Sequence, residues 1–251
     1  MTEARREPAV LLGAGVLALA ISAIRPYSYG TWLLEVLPAL IAAPVLVLTY
    51  RRFPLTPLAY RLILAQALIL MIGGHWTYAQ VPAGEWVQDL FSLERNPYDR
   101  LGHLFQGITP AIIAREILLR RTPLRPGGWL FALVVCVVLG VSACWEFFEW
   151  WSALIGGSAA DDFLGAQGDV WDTQWDMFLA LCGAVLSQVL FARIHDRQLD
   201  AAFPDESYHD VFPTIRHALT QVLVGHTANH VGQLGVWRRA MGLPRMGRAF
   251  E

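Results

Sequence analysis

Apolar residues in this chain gather into long uninterrupted runs instead of recurring at the helical or alternating spacing of half-buried elements. Six runs approach the ~20 residues that a helix needs to cross a hydrocarbon core about 30 Å thick. They are Ala9 to Ile24, Thr31 to Tyr50, Ala59 to Ala79, Leu101 to Leu119, Trp129 to Trp145 and Thr173 to Ala192. The pattern predicts an all-α membrane protein: a domain of about six transmembrane helices over 1–198, followed by a cytoplasmic helical tail, 199–251. The first run ends in Ile24, Arg25 and Pro26, not in a small-residue cleavage site, so it is expected to persist as the first helix. Between the third and fourth runs, Trp86, Leu90 and Phe91 are spaced to form a short amphiphilic helix lying on the membrane surface. Ser152 to Gly168 reads as a Gly- and Ala-rich link. Pro38, Pro44 and Pro110 fall inside runs, where kinks are tolerated and leave room for cavities.

Charge sets the orientation. The chain contains no Lys, and its arginines are unevenly divided. Arg5, Arg6, Arg51, Arg52, Arg61, Arg115, Arg120, Arg121, Arg125, Arg193 and Arg197 fall at one end of the predicted bundle, against Arg25, Arg95 and Arg100 at the other. The positive-inside bias therefore predicts cytoplasmic termini. Trp32, Trp76, Trp86, Trp145, Trp150, Trp151, Trp171 and Trp175 gather toward the opposite, outer end, as an interfacial belt would. A hydrophobic content of 55% with only 16% charged residues sets the chain apart from soluble proteins, and a net charge of -2 argues for lipid and against nucleic acid as partner. Cys136, Cys144 and Cys182 lie in apolar runs without C-x-x-C spacing and are expected to be small buried hydrophobes, not a disulfide framework.

Polar residues that interrupt this pattern carry the candidate chemistry. Asp99 and His103 are four apart at the start of the fourth run, Glu146 and Glu149 are one turn apart at the end of the fifth, and Asp169, Asp172 and Asp176 open the sixth. At helical spacing each set shares one face. Alternating crossings bring all three to the outer end, together with Glu35 and His75. A carboxylate one or two turns inside a bilayer costs about 2.5 to 3.5 kcal/mol on insertion scales, which makes it a functional-site hypothesis. A His among carboxylates suits a divalent metal ion, with His103, Asp172 and Asp176 as ligands, or an acid and base pair whose pKa values are split by repulsion. The competing reading is a solvated helix edge in which Asp99 and Asp172 are caps and Asp169 is favoured by a helix dipole; it accounts less well for the deeper His103, Asp176 and Glu146. Glu116 beside Arg115 reads as a surface ion pair without chemistry. No nucleophile elbow, zinc-protease helix or nucleotide fingerprint is present.

The strings NPYDRLGHLFQGITPAIIAREILLR, WEFFEWW and FLGAQGDVWDTQWDM, with WLLE at Trp32 to Glu35, resemble the YjdF-type bacterial inner-membrane protein family over about Pro26 to Gln198. That resemblance implies a multi-pass inner-membrane protein whose activity is not established. VanZ-like proteins, associated with glycopeptide resistance, are more remotely similar: Asp99 and His103 match their Asp-x3-His, while Asp176 stands where an Asn would be expected. In the tail, HTANHVGQLGVWRRAMGLP resembles the last helix of DinB-like metal-binding proteins, which implies His226 and His230 as metal ligands; the helix carrying the third ligand is missing. The alternative is a plain amphipathic cytoplasmic helix. Three functions are compatible with these residues. The first is a membrane-embedded enzyme acting on a lipid or envelope precursor through Asp99, His103, Glu146, Glu149, Asp169, Asp172 and Asp176. The second is a proton- or cation-coupled transporter, against which the one-sided placement of the charges argues. The third is a non-catalytic membrane assembly partner.

Overall fold

The computed structural model describes residues 3–156 and 161–200, and every regular element among them is helical. The long helices are α1 (Glu3–Ser22), α2 (Tyr29–Thr49), α3 (Pro57–Trp76), α5 (Tyr98–Arg121), α6 (Gly128–Gly156) and α8 (Asp172–Leu199). A 3-10 turn at Tyr78–Gln80, the short α4 (Pro82–Phe91) and the single turn α7 (Asp161–Leu164) lie between them. Local signals set the starts. The Ser28 hydroxyl accepts the Thr31 N–H to cap α2, and Thr56 caps α3 in the same way just before Pro57 at its first turn.

Four of these helices, α2, α3, α6 and α8, are long and apolar enough to cross a membrane. α5 is as long but polar, with Asp99, His103, Thr109, Arg115, Glu116 and Arg120 all buried. It occupies the middle of the bundle, packed against α3, α6 and α8, while α1 and α2 pack on α3. Polar helices in apolar surroundings are driven to such positions, because neighbouring helices can satisfy groups that lipid cannot. α5 and α8 cross with their backbones in contact: a Cβ at Gly107 would fall on the Ala180 carbonyl, and one at Gly183 on the Leu104 carbonyl. Ala111 and Ala184, both 0% exposed, extend this seam of small residues.

The boundaries depart most from expectation at three ends: α1 begins already at Glu3, α8 runs on past Ala192 to Leu199, and α6 is longer than its apolar run. α6 continues past Trp145 to Gly156, so it takes in Glu149, Trp150 and Trp151 and the first residues of the expected link, Ser152 to Gly156. Cys136 and Cys144 are exposed instead of buried and Cys182 is half-buried; all three are free thiols. On a helix surface that faces lipid, a small apolar side chain is as well placed as in a core. α4 forms as its spacing predicts, with Trp86, Leu90 and Phe91 exposed along it.

At the end of the bundle where α5 and α8 finish, the expected Arg115–Glu116 surface pair is absent. Both residues are buried, and they meet only through His195. Glu116, 0% exposed, accepts the Thr56 N–H at 3.1 Å, the Thr56 hydroxyl at 2.8 Å and Arg120 Nη1 at 2.5 Å. His195 lies between Arg115 Nη1, 2.7 Å from its Nδ1, and Glu116 Oε2, 3.2 Å from its Nε2. A guanidinium can only donate, so Nδ1 carries the lone pair, and Nε2–H donates to Glu116: a neutral imidazole bridges two ions. Arg115 also forks onto Asp196 at 2.9 and 3.0 Å, and Arg120 stacks 3.6 Å over the Phe53 ring while donating to the Pro54 carbonyl. The network ties the α2–α3 connection to α5 and α8.

Candidate functional site at the converging starts of α5 and α8

The other end of the bundle gathers the polar sets that the sequence placed on separate runs. Asp99 lies in the first turn of α5, and Asp172 is the first residue of α8. Both carboxylates therefore sit at positive helix ends, where the dipole favours them. Arg95 links them: Nη2 donates to Asp99 Oδ2 at 3.0 Å and to the Gly165 carbonyl at 3.0 Å, while Nη1 makes a very short contact with Asp172 Oδ1. Burial works to lower the Arg95 pKa, but the bond to Asp172 and the charges of Asp172, Asp99 and Asp176 outweigh it and hold the guanidinium above its usual value. Gly165 is suited to this position because it adopts φ +66° and lies directly against Asp99, where a side chain would meet Asp99 Oδ1 at 3.3 Å.

Two loops are joined to make the cradle. Gln167 accepts the Asn96 N–H and donates to the Asn96 carbonyl, both at 3.0 Å. Asn96, 0% exposed, in turn holds the Ala79 and Val81 carbonyls at 3.2 and 3.1 Å. Phe163, 2% exposed, anchors the second loop against the rings of Trp145 and Phe148.

Behind the arginine, His103 Nε2 stands 3.5 Å from Asp99 Oδ1 and 3.7 Å from Asp176 Oδ1. One ligand atom from each of Asp99, His103 and Asp176 lies within 4.8 Å of the others, and all three residues are buried. Glu146 and Glu149 approach from α6, buried, with Trp145 Nε1 donating to Glu149 at 2.6 Å and Thr173 bonded to Glu146. Glu35, 3% exposed, completes the layer through a hydrogen bond from Tyr78. Burial and the charges of Glu35 and Asp99 raise the Tyr78 pKa well above its usual value, so the phenol stays a donor. Among the described residues His103 Nδ1, Asp176 Oδ1 and Glu146 Oε1 are buried atoms without a hydrogen-bond partner.

Not every candidate joins this layer. Asp169 precedes α8 and stays at the rim: it caps the Trp171 N–H at 2.9 Å, pairs with Arg100 at 3.3 Å and lies 3.6 Å from Arg95 Nη1. His75 turns its Nδ1 to the Ser22 carbonyl at 2.9 Å and is occupied there. His226 and His230 lie outside the described residues. Arg95, Asn96, Gln167 and Tyr78 are not among the candidates that the sequence offers: Asn96 and Gln167 lie inside the quoted strings, and all four sit outside the long helices, where spacing carries no helical signal. Six tryptophans, Trp76, Trp86, Trp150, Trp151, Trp171 and Trp175, are exposed at this end, in keeping with a membrane interface.

The arrangement can bind a cation, or exchange protons, in a pocket where carboxylates outnumber the nearest guanidinium. Comparisons with known proteins bear on the family. The chain is 53% identical over 183 residues to the inner membrane protein YjdF of Escherichia coli (strain K12), a match covering 73% of this chain and 88% of that protein. No solved structure matches it. A family model described as predicted membrane protein (DUF2238) matches residues 8–197. With that match spanning most of a chain built of apolar helices, the protein belongs to the DUF2238 family of membrane proteins and is an integral protein of the inner membrane.

Proposed function

We propose that the layer around His103 is a divalent-metal site in a membrane-embedded enzyme that acts on a lipid or envelope precursor at the outer leaflet. The carrying observation is the spacing of Asp99, His103 and Asp176. Their facing atoms, His103 Nε2 with Asp99 Oδ1 and Asp176 Oδ1, are 3.5 and 3.7 Å apart, too far for good hydrogen bonds, and one of them, Asp176 Oδ1, is buried without a partner. Ligands at about 2.1 Å from a tetrahedral ion lie about 3.4 Å from one another, close to the spacing found here. A bound ion would supply Lewis-acid stabilisation of charge developing on a phosphoryl or acyl oxygen. The chain's own residues have separable roles. Arg95 orients Asp99 and Asp172; Glu146, with one oxygen bonded through Thr173 and the other unpartnered, can take or give a proton. The Gly107–Gly183 contact favours this reading over a transporter, because it leaves no space between α5 and α8 for a pathway through the middle of the bundle.

The outer location follows from topology, for which we infer six crossings, α1, α2, α3, α5, α6 and α8, with both termini cytoplasmic. Alternating directions place the starts of α5 and α8 and the end of α6 together, opposite the arginine-rich end. A periplasm-dependent reporter fused after Gly157 should be active; activity only of a cytoplasm-dependent reporter there would reverse the orientation.

The metal reading is tested by elemental analysis of protein purified without chelators. About one divalent ion per chain is expected, absent from His103→Ala and Asp176→Asn variants that still insert and fold. Wild-type protein that is free of metal, and gains no thermal stability from added Zn, Mn or Mg, would overturn it.

A further inference from the structure

A hollow of about 360 Å³ opens between the end of α6 and the start of α8, beside the His103 layer. Among the described residues its lining includes four carboxyl residues, Glu146, Glu149, Asp169 and Asp172, and no Arg or Lys. Two of these are already matched, Asp172 by Arg95 and Asp169 by Arg100. Among the described residues Glu149 has only the neutral Trp145 N–H as a donor. Glu146 is the one that points to a ligand: it is 7% exposed, lines the hollow, and keeps Oε1 buried without a partner. A buried unmatched acceptor costs about 1–3 kcal/mol, a deficit that a bound donor removes. The remaining wall is mixed, with Thr173 and Gln174 beside the apolar Leu164 and Val170 and the ring of Trp150. Trp150, which lines the hollow, is 57% exposed, and Val170 beside it is 85% exposed, so the mouth opens among side chains suited to lipid and headgroup.

A ligand matching this hollow carries a positive charge with N–H donors at one end and an apolar body at the other. We propose that the hollow binds the primary ammonium headgroup of an amine-bearing lipid, with Glu146 and Glu149 as its carboxylate partners and Trp150 offering an aromatic face to the cation. Anionic headgroups are repelled by the same walls. A quaternary ammonium has no N–H to satisfy Glu146 Oε1. This reading deepens the proposed function by naming the headgroup class, and rests on it for the placing of the site at the outer leaflet.

Detergent-purified full-length protein is challenged with phosphatidylethanolamine, phosphatidylglycerol and phosphatidylcholine of identical acyl chains, and binding is read by native mass spectrometry. Wild type should retain phosphatidylethanolamine about tenfold more tightly than the other two, as one charge-assisted hydrogen-bonded pair supports. Glu146→Gln, nearly isosteric, should reduce the preference to about twofold or less, and Ala153→Lys, which puts a tethered ammonium into the lining, should abolish it. Dodecylammonium should compete for the hollow, and butylammonium only at far higher concentration; equal competition would make the ligand a soluble amine and overturn the lipid assignment. Equal retention of the three lipids by wild type, or a preference unchanged in both variants, would overturn the proposal outright. Metal content measured on the same samples separates the two readings, since neither Glu146 nor Ala153 belongs to the Asp99, His103 and Asp176 group.

Discussion

Two carboxylates of this chain show how little a residue's charge says about its role until its neighbours are known. Glu116 is wholly buried with five donor contacts, from the Thr56 N–H and hydroxyl, Arg120 and His195. Replacing it by Ala leaves Arg120 uncompensated in the bundle, a loss of the kind that costs about 3–5 kcal/mol. Asp169, by contrast, has a side chain 20% exposed, meets Arg100, which is 37% exposed, and reaches Arg95 only at 3.6 Å. Asp169→Asn should cost below about 1 kcal/mol, because solvent screens such pairs. Chemical denaturation in detergent micelles should rank the two variants in that order, and equal costs would refute the account of the Glu116 network. Arg95 stands between these extremes, since its removal leaves Asp99 and Asp172 facing each other.

At the level of elements, the decisive contact is the α5–α8 crossing. Each helix brings two members to the polar layer, Asp99 and His103 on one, Asp172 and Asp176 on the other. Their separation is set about one turn away by Gly107 against Ala180 and by Gly183 against Leu104. Gly107→Val should push the helices apart, cost about 1–3 kcal/mol or more as overpacking does, and lower metal retention along with thermal stability. Gly140, with nothing near the place a Cβ would occupy, is the matched control: Gly140→Ala should leave both unchanged. A Gly107→Val protein that keeps full stability would show that the crossing is looser than described.

For the molecule as a whole, the two polar ends divide the labour. Among the described residues, at the end holding Glu116 and His195 every buried carboxylate oxygen is matched and only the Arg120 Nε donor is left over, whereas the His103 end leaves two carboxylate acceptors, Asp176 Oδ1 and Glu146 Oε1, unpartnered. An ion that binds only the folded state adds RT ln(1 + [L]/Kd), about 2.7 kcal/mol at a hundredfold excess over Kd. Titrating Zn, Mn or Mg should therefore raise the unfolding temperature of wild type and not of Asp176→Asn. Chelation should lower it again. A shift of equal size in the variant would place the ion elsewhere.

The amino-acid sequence by itself determined the helical class, the membrane setting and the family, because twenty-residue apolar runs and the strings around Asp99, Glu146 and Asp172 are local features that need no neighbour to be read. It also showed that His103 and the aspartates share helical faces, since spacing alone places them so. Only the tertiary structure decided which charges meet. Arg95 and Gln167 sit in loops, where no period predicts direction, and their partners lie 77 and 71 residues away in sequence. Asp169 looked like a member of the α8 face, yet the helix begins three residues later and leaves it as a cap. Glu116 looked like a surface charge because it ends a polar helix, and α5 is polar because five other long helices share the lipid-facing positions. Burial of that helix is a property of the bundle, and hydropathy along one segment does not contain it.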